Sequence, residues 1–200
     1  MAWDKTKIVN LALIKTGDDR VSNVDTADTK PAKVMREIYD NIRDALLQSY
    51  PWNFAIELAS LAVSGTSPEW GFTNRFPLPT DLLALLAIKD VTSTRIISGE
   101  SGQETPYQVI GKFIHTNLGT PLKIRYIKQI TNAALFSPLF GEALAAKLAL
   151  ESGESLTQSN TKNAWLLNGF DRTISRAFSA DAIENPADPL PEDSWIDARI

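Results

Sequence analysis

Two hundred residues, 44% hydrophobic and 22% charged, are long enough for a real core and too apolar for a disordered chain. The absence of cysteine excludes disulfides, thiolate catalysis and cysteine-based metal sites. The longest apolar run, Leu82 to Ile88, is far too short to span a bilayer, and Met1 to Lys5 lead into no signal-peptide core. The net charge of −4 is unevenly placed: residues 181–200 carry six acids against Arg199, which leaves +1 on residues 1–180. A body so near neutrality holds no reserve of cations for tight phosphate binding.

Residues 4–16 predict a short helix with Asp4 as N-cap and Gly17 as its stop, Ile8, Leu11, Ala12 and Lys15 falling on related faces. After a polar, turn-like stretch from Asp18 to Asp28, a second helix starts near Asp28, tolerates Pro31 in its first turn and runs to about Gln48. Its apolar stripe is Met35, Ile38, Tyr39, Ile42, Ala45 and Leu46. Pro51 ends the element and holds Tyr50 extended.

From Phe54 the period changes to two, with Phe54, Ile56 and Leu58 alternating against smaller or polar residues. Gly65 to Pro68 reads as a loop, and Phe76-Pro77-Leu78-Pro79-Thr80-Asp81 is too proline-rich for a regular element. Strands are expected at Leu85 to Val91, Tyr107 to Ile110, Phe113 to Thr116 and Leu122 to Ile130, with turns at Gly99 to Thr105 and Asn117 to Thr120. In the last strand Leu122, Ile124 and Tyr126 face one way, Lys123 and Arg125 the other.

Ser137-Pro138 opens a third helix, alanine-rich to about Glu151. Ser152-Gly153 predicts a break, followed by a last helix from about Leu156 to Ala182 whose apolar face is Ala164, Leu167, Phe170, Ile174, Ala177 and Phe178. Pro186, Pro189 and Pro191 forbid further helix. The fold class is therefore α+β: a helical bundle from both chain halves (1–50 and 131–184), an inserted small antiparallel β region (51–130) and an extended C-terminal tail (185–200).

Chemistry is thinly represented. His115 is the sole histidine and reads as structural, with no second histidine to complete a metal set or a Ser–His pair. Ser101, in Gly99-Glu100-Ser101-Gly102, fails the nucleophile-elbow spacing, and Gly111 and Gly119 are isolated. Asp18-Asp19 or Glu100 with Glu104 could act as an acid–base pair in a hydrolase, but solvated loop acids explain them as well. Lys123, Arg125 and Lys128 form a basic cluster that reads as a solvated strand face rather than a phosphate grip. The pattern implies no enzyme, metal or cofactor.

The aromatic residues say more. Tyr50, Trp52 and Phe54 bracket the helix-to-strand switch, and Trp70, Phe72 and Phe76 precede the Pro77–Pro79 turn; a shared core at the junction of bundle and sheet is expected. In the tail, Trp195, Ile196 and Ile200 have two readings: a frayed extension, or an arm that docks on a neighbouring subunit or partner.

These residues also resemble a known family. Ile8 to Leu13, Thr16-Gly17 and Arg20-Val21-Ser22 are similar to the opening of the tail tubular protein A family, the head-to-tail adaptors of short-tailed bacteriophages. The likeness continues through Tyr39, Arg43, Leu46-Leu47, Pro51-Trp52-Asn53-Phe54-Ala55 and the Phe76 to Asp81 run. It is taken up again at Ser137-Pro138-Leu139-Phe140, so that it covers most of residues 8–180. The resemblance implies a structural virion protein assembled in the host cytoplasm: a homo-oligomeric ring, dodecameric in the family, between the portal protein and the tail nozzle protein, with double-stranded DNA passing through and no membrane partner. Tyr50, Pro51, Trp52, Phe54, Pro77, Pro79 and Asp81 themselves read as a structural junction where the bundle helix stops and the β region starts. A conduit should not grip its cargo, which suits the near-neutral body. Another connector layer, such as a head-completion or stopper protein, is the nearest alternative, and a tail-associated polysaccharide hydrolase the enzymatic one.

Overall fold

The computed structural model describes residues 2–89, 91, 107–157 and 159–184. The first helix, α1, is Lys5–Thr16; the Asp4 carboxylate accepts from the Lys7 N–H at 2.8 Å, and Gly17, at φ 84°, returns its N–H to the carbonyls of the last turn. Its buried face is Ile8, Val9, Ala12, Leu13 and Thr16, rotated from the one expected, so Leu11 and Lys15 are only half-buried. The second, α2 (Lys30–Gln48), is capped by Thr29 rather than Asp28. Met35, Tyr39 and Leu46 are buried as expected, but Arg43 and Leu47 join them and Ala45 is exposed.

The chain then makes a 3-10 turn, Asn53–Ala55, so the first strand begins at Ile56 and not at Phe54. Six strands form two antiparallel sheets. The first has the order β1 (Ile56–Leu61), β6 (Leu122–Lys128), β3 (Leu82–Ile88). The second has the order β2 (Asn74–Pro77), β5 (Phe113–Thr116), β4 (Tyr107–Ile110). Two strand expectations are corrected here. The apolar run from Leu82, not Leu85, is β3, and β2 runs into the proline-rich stretch. Pro77 is tolerated because it ends an edge strand, where a missing ladder N–H costs least.

After a second 3-10 turn at Ala133–Leu135, α3 runs Pro138–Thr157 and α4 runs Asn160–Glu184. The Ser137 hydroxyl accepts from the Phe140 N–H at the start of α3. The break expected at Ser152-Gly153 does not occur. The Ser152 hydroxyl folds back onto the Leu148 carbonyl at 2.8 Å, and a Cβ on Gly153 would stand 2.6 Å from the Asn163 side-chain oxygen and 3.0 Å from Leu166. Glycine is therefore in mid-helix because α4 crosses there, not because the helix stops. On α4 the expected face is also displaced: Leu166, Thr173, Ala177 and Asp181 are buried, while Ala164 and Leu167 are exposed.

Two hydrophobic cores result. The larger joins all four helices and takes in Ile127 and part of β3, so the bundle and the first sheet pack as one body. The smaller lies between the sheets and centres on Phe76, Ile88, Ile114, Leu122, Ile124 and Tyr126. Among the described residues no helix is long and apolar enough to cross a membrane.

Candidate functional site

The residues expected at a structural junction fall into two places. Trp52 is fully buried, and its indole N–H donates to the Leu46 carbonyl at 3.0 Å, which satisfies the one polar atom of the ring. Its ring meets Tyr50 and Phe140 edge-on at 5.0 Å and lies 5.3 Å from Phe178, while Phe54 packs edge-on against Phe140 at 5.1 Å. Tyr50 stacks on Phe178 at 4.5 Å, and Pro51, between Tyr50 and Trp52 in the chain, is exposed. One cluster thus collects the end of α2, the start of α3 and the last turns of α4.

A polar clamp stands beside it. The Asp181 carboxylate accepts from the Asn53 backbone N–H at 3.1 and 3.2 Å, and the Asn53 side-chain amide donates to the Asp181 carbonyl at 2.7 Å. Burial pushes the Asp181 carboxyl above its ordinary value against the pull of the Asn53 N–H, and nearby Glu184 adds to the rise. Sequence reasoning missed Asp181, and an acid on an otherwise apolar helix face is the signal that could have found it.

Pro77, Pro79 and Asp81 sit elsewhere, where the two sheets meet. The Asp81 carboxylate accepts from the Tyr126 hydroxyl at 3.2 Å, and its carbonyl accepts from the Gln129 N–H at 2.7 Å. Burial, reinforced by Asp81, pushes the Tyr126 phenol up to about 12. Gln129 in turn donates to Asp44 of α2 at 2.6 Å, so this corner is tied back to the bundle. The expected single aromatic core therefore divides. Tyr50, Trp52 and Phe54 belong to the bundle, Phe76 belongs to the core between the sheets, and Trp70 is 81% exposed. Trp70 stands in the loop between β1 and β2, and β2 belongs to the second sheet, whose core Phe76 joins.

The remaining candidates are dispersed. His115 is half-buried on β5, opposite Arg75 and Gln108. The Asp18 carboxylate accepts from the Thr16 hydroxyl at 2.7 Å, and Asp19 is exposed beside it. Among the described residues no group of three or more His, Cys, Asp or Glu side chains could hold a metal. Ser101, Glu100, Glu104, Trp195, Ile196 and Ile200 lie outside the described residues.

Lys128 separates from the basic cluster, pairing with Glu57 at 3.1 Å on the inner side of the first sheet. Lys123 and Arg125 stay on the outer face, which they share with Leu58, Ala87 and Lys89 around a concavity of about 390 Å³. Leu58 there is 76% exposed. A second open surface is the outward side of α4, where Trp165 and Ile183 are exposed together with Arg172 and Arg176. Exposed aromatic and aliphatic groups set among cations suit contact with other macromolecules better than chemistry on a small substrate.

No family model matches the chain, and no curated protein matches it either.

Proposed function

We propose that this protein is a head-to-tail adaptor: a non-enzymatic virion subunit that assembles as a ring on the portal protein, extends the DNA exit channel and carries the tail nozzle protein. The observation that carries the reading is the junction at Trp52. The Pro51-Trp52-Asn53-Phe54-Ala55 motif on which the family resemblance rests is also the point where α2, α3 and α4 are locked to the start of the β region. A rigid junction of this kind holds the helical and sheet surfaces at a fixed angle, as a subunit touching different partners above and below requires. In this role the chain needs no cofactor, acts in the neck of the virion and touches DNA only in passing.

Negative-stain imaging of the purified protein mixed with its portal protein tests the reading. Rings seated on the portal are expected, and portals left bare under every condition would sink it. Rings that bind a head-completion layer instead would assign the chain to a different connector position.

A further inference from the structure

The two sides of α4 differ in kind. Leu166, Thr173, Ala177 and Asp181 turn inward. On an outward side Trp165, Arg172, Arg176 and Ile183 follow one another at steps of seven, four and seven residues. At 3.6 residues per turn these steps keep all four within about 20° of one line, roughly 27 Å long. All four are exposed, Trp165 by 59% and Ile183 by 83%. Neither arginine forms an ion pair among the described residues, whose ion pairs lie elsewhere. One exposed apolar residue on a surface needs no explanation, but a tryptophan and an isoleucine in register with two unpaired guanidinium groups do.

The charge on α2 identifies what could cover this stripe. Glu37 and Asp40 are exposed along its outward side, and Asp44 continues the line half-buried, its second oxygen accepting from Gln129. Arg43, buried beneath them, holds Asp40 at 2.5 Å and Asp44 at 2.8 Å, which fixes both carboxylates in place. Burial works against the Arg43 charge, but Asp44 and Asp40 outweigh it and hold the guanidinium above its ordinary pKa. Asp40 keeps 62% of its side chain exposed. Asp40 and Asp44 are spaced four residues apart, as Arg172 and Arg176 are, about 6 Å along a helix in each case. Both helices take their main helix packing from α3, and no pair forms between the two lines within one chain.

We infer that the Trp165–Arg172–Arg176–Ile183 stripe of α4 docks on the Glu37–Asp40–Asp44 line of α2 in a second copy of this chain. The two patches differ, so the contact is head-to-tail: every copy that uses its α4 stripe leaves its α2 line free for the next. Such a contact grows as a filament or closes as a ring, and only the closure rests on the adaptor reading.

A chain without cysteine lends itself to a direct test. Glu37→Cys and Arg176→Cys, both at exposed positions, are made in separate preparations distinguishable by mass, each shown by thermal melting to keep its fold. They are then mixed with the portal protein and treated with a short bis-maleimide. Products joining Glu37→Cys to Arg176→Cys are expected to dominate those joining like to like. In sedimentation, the Arg172→Glu/Arg176→Glu double variant is expected to raise the self-association Kd at least about tenfold while melting as the parent does. Like-to-like Arg176→Cys products in excess would overturn the inference in favour of a two-fold α4 contact. Rings on the portal with neither cross-link nor sensitivity to charge reversal would overturn it and leave the adaptor reading standing. A chain that never self-associates, with or without portal, would overturn both.

Discussion

Helices α3 and α4 are twenty and twenty-five residues long and pack on one another, yet they treat solvent in opposite ways. From Phe140 to Ala149 nearly every α3 residue is buried, and its alanines let α1, α2 and α4 approach from three sides. On α4 Leu166, Thr173, Ala177 and Asp181 are the buried residues, and an outward line carries Trp165, Arg172, Arg176 and Ile183. The difference separates two jobs: α3 is the post around which the fold is built, and α4 closes the core with one side while showing the other outward. Mutations at the centre should therefore be read in stability, and those on the outer line of α4 in association.

The largest expected effect is at the junction. Trp52→Ala should cost about 3–5 kcal/mol in denaturant unfolding, since it empties a fully buried site and leaves the Leu46 carbonyl with the Ser49 hydroxyl but without the indole. A near-neutral result would erase the contrast between centre and surface.

Gly141 on α3 sharpens the comparison. A Cβ there would stand 2.3 Å from the Trp3 indole nitrogen, whose N–H reaches the Pro138 carbonyl at 3.2 Å. Gly141→Ala should then cost about 1–3 kcal/mol through overpacking. In a Trp3→Ala background the same change should turn stabilising by up to about 1 kcal/mol, because only the helix preference of alanine is left.

At the clamp, Asp181→Ala should cost about 1–3 kcal/mol because the Asn53 N–H loses its acceptor, and Asp181→Asn should cost less. The pH dependence has a definite sign. A carboxyl raised above 3.8 in the folded chain favours the fold while protonated, and that contribution is lost as pH rises through the raised value. The stability of Asp181→Asn relative to the parent should therefore climb as pH rises from 3.8 and then level off; a falling difference would mean that the carboxylate itself is preferred.

The smallest effect belongs to Tyr39. Its hydroxyl is buried with no hydrogen-bond partner among the described residues, and burial pushes the phenol up to about 12. Tyr39→Phe should be neutral or stabilising by up to about 1 kcal/mol in the same unfolding measurement, and a loss of stability would reveal a partner for that oxygen.

Local rules were enough to read several elements from the sequence. Asp4 and Gly17 mark α1 because capping is short-range, and the alternation in β6 is plain because one of its faces is buried. Gly153 misled because the need for a bare Cα there comes from Asn163 and Leu166 on a different helix. Pro77 misled because edge and centre strands look alike until the sheet order is known. The buried side of α4 was misplaced for a related reason: Thr173 bonds its own helix through the Gly169 carbonyl and Asp181 serves Asn53, so two polar residues sit where leucines would be sought. In the candidate site, Trp52 stood out by its motif, whereas the outer line of α4 is visible only once the inward side is known.

The clamp between Asn53 and Asp181 also bears on how the chain is made. Its partners are 128 residues apart, so on a ribosome the second arrives on the order of 10 s after the first. For most of that interval α1 and α2 have no complete α3 to lie against, and α4 is completed only after it. The β strands lie wholly inside this window and can pair before the bundle exists. Nascent chains therefore pass through a stage in which the sheets are formed and two amphipathic helices still present their apolar stripes, and this is the stage at which a chaperone would have most to bind.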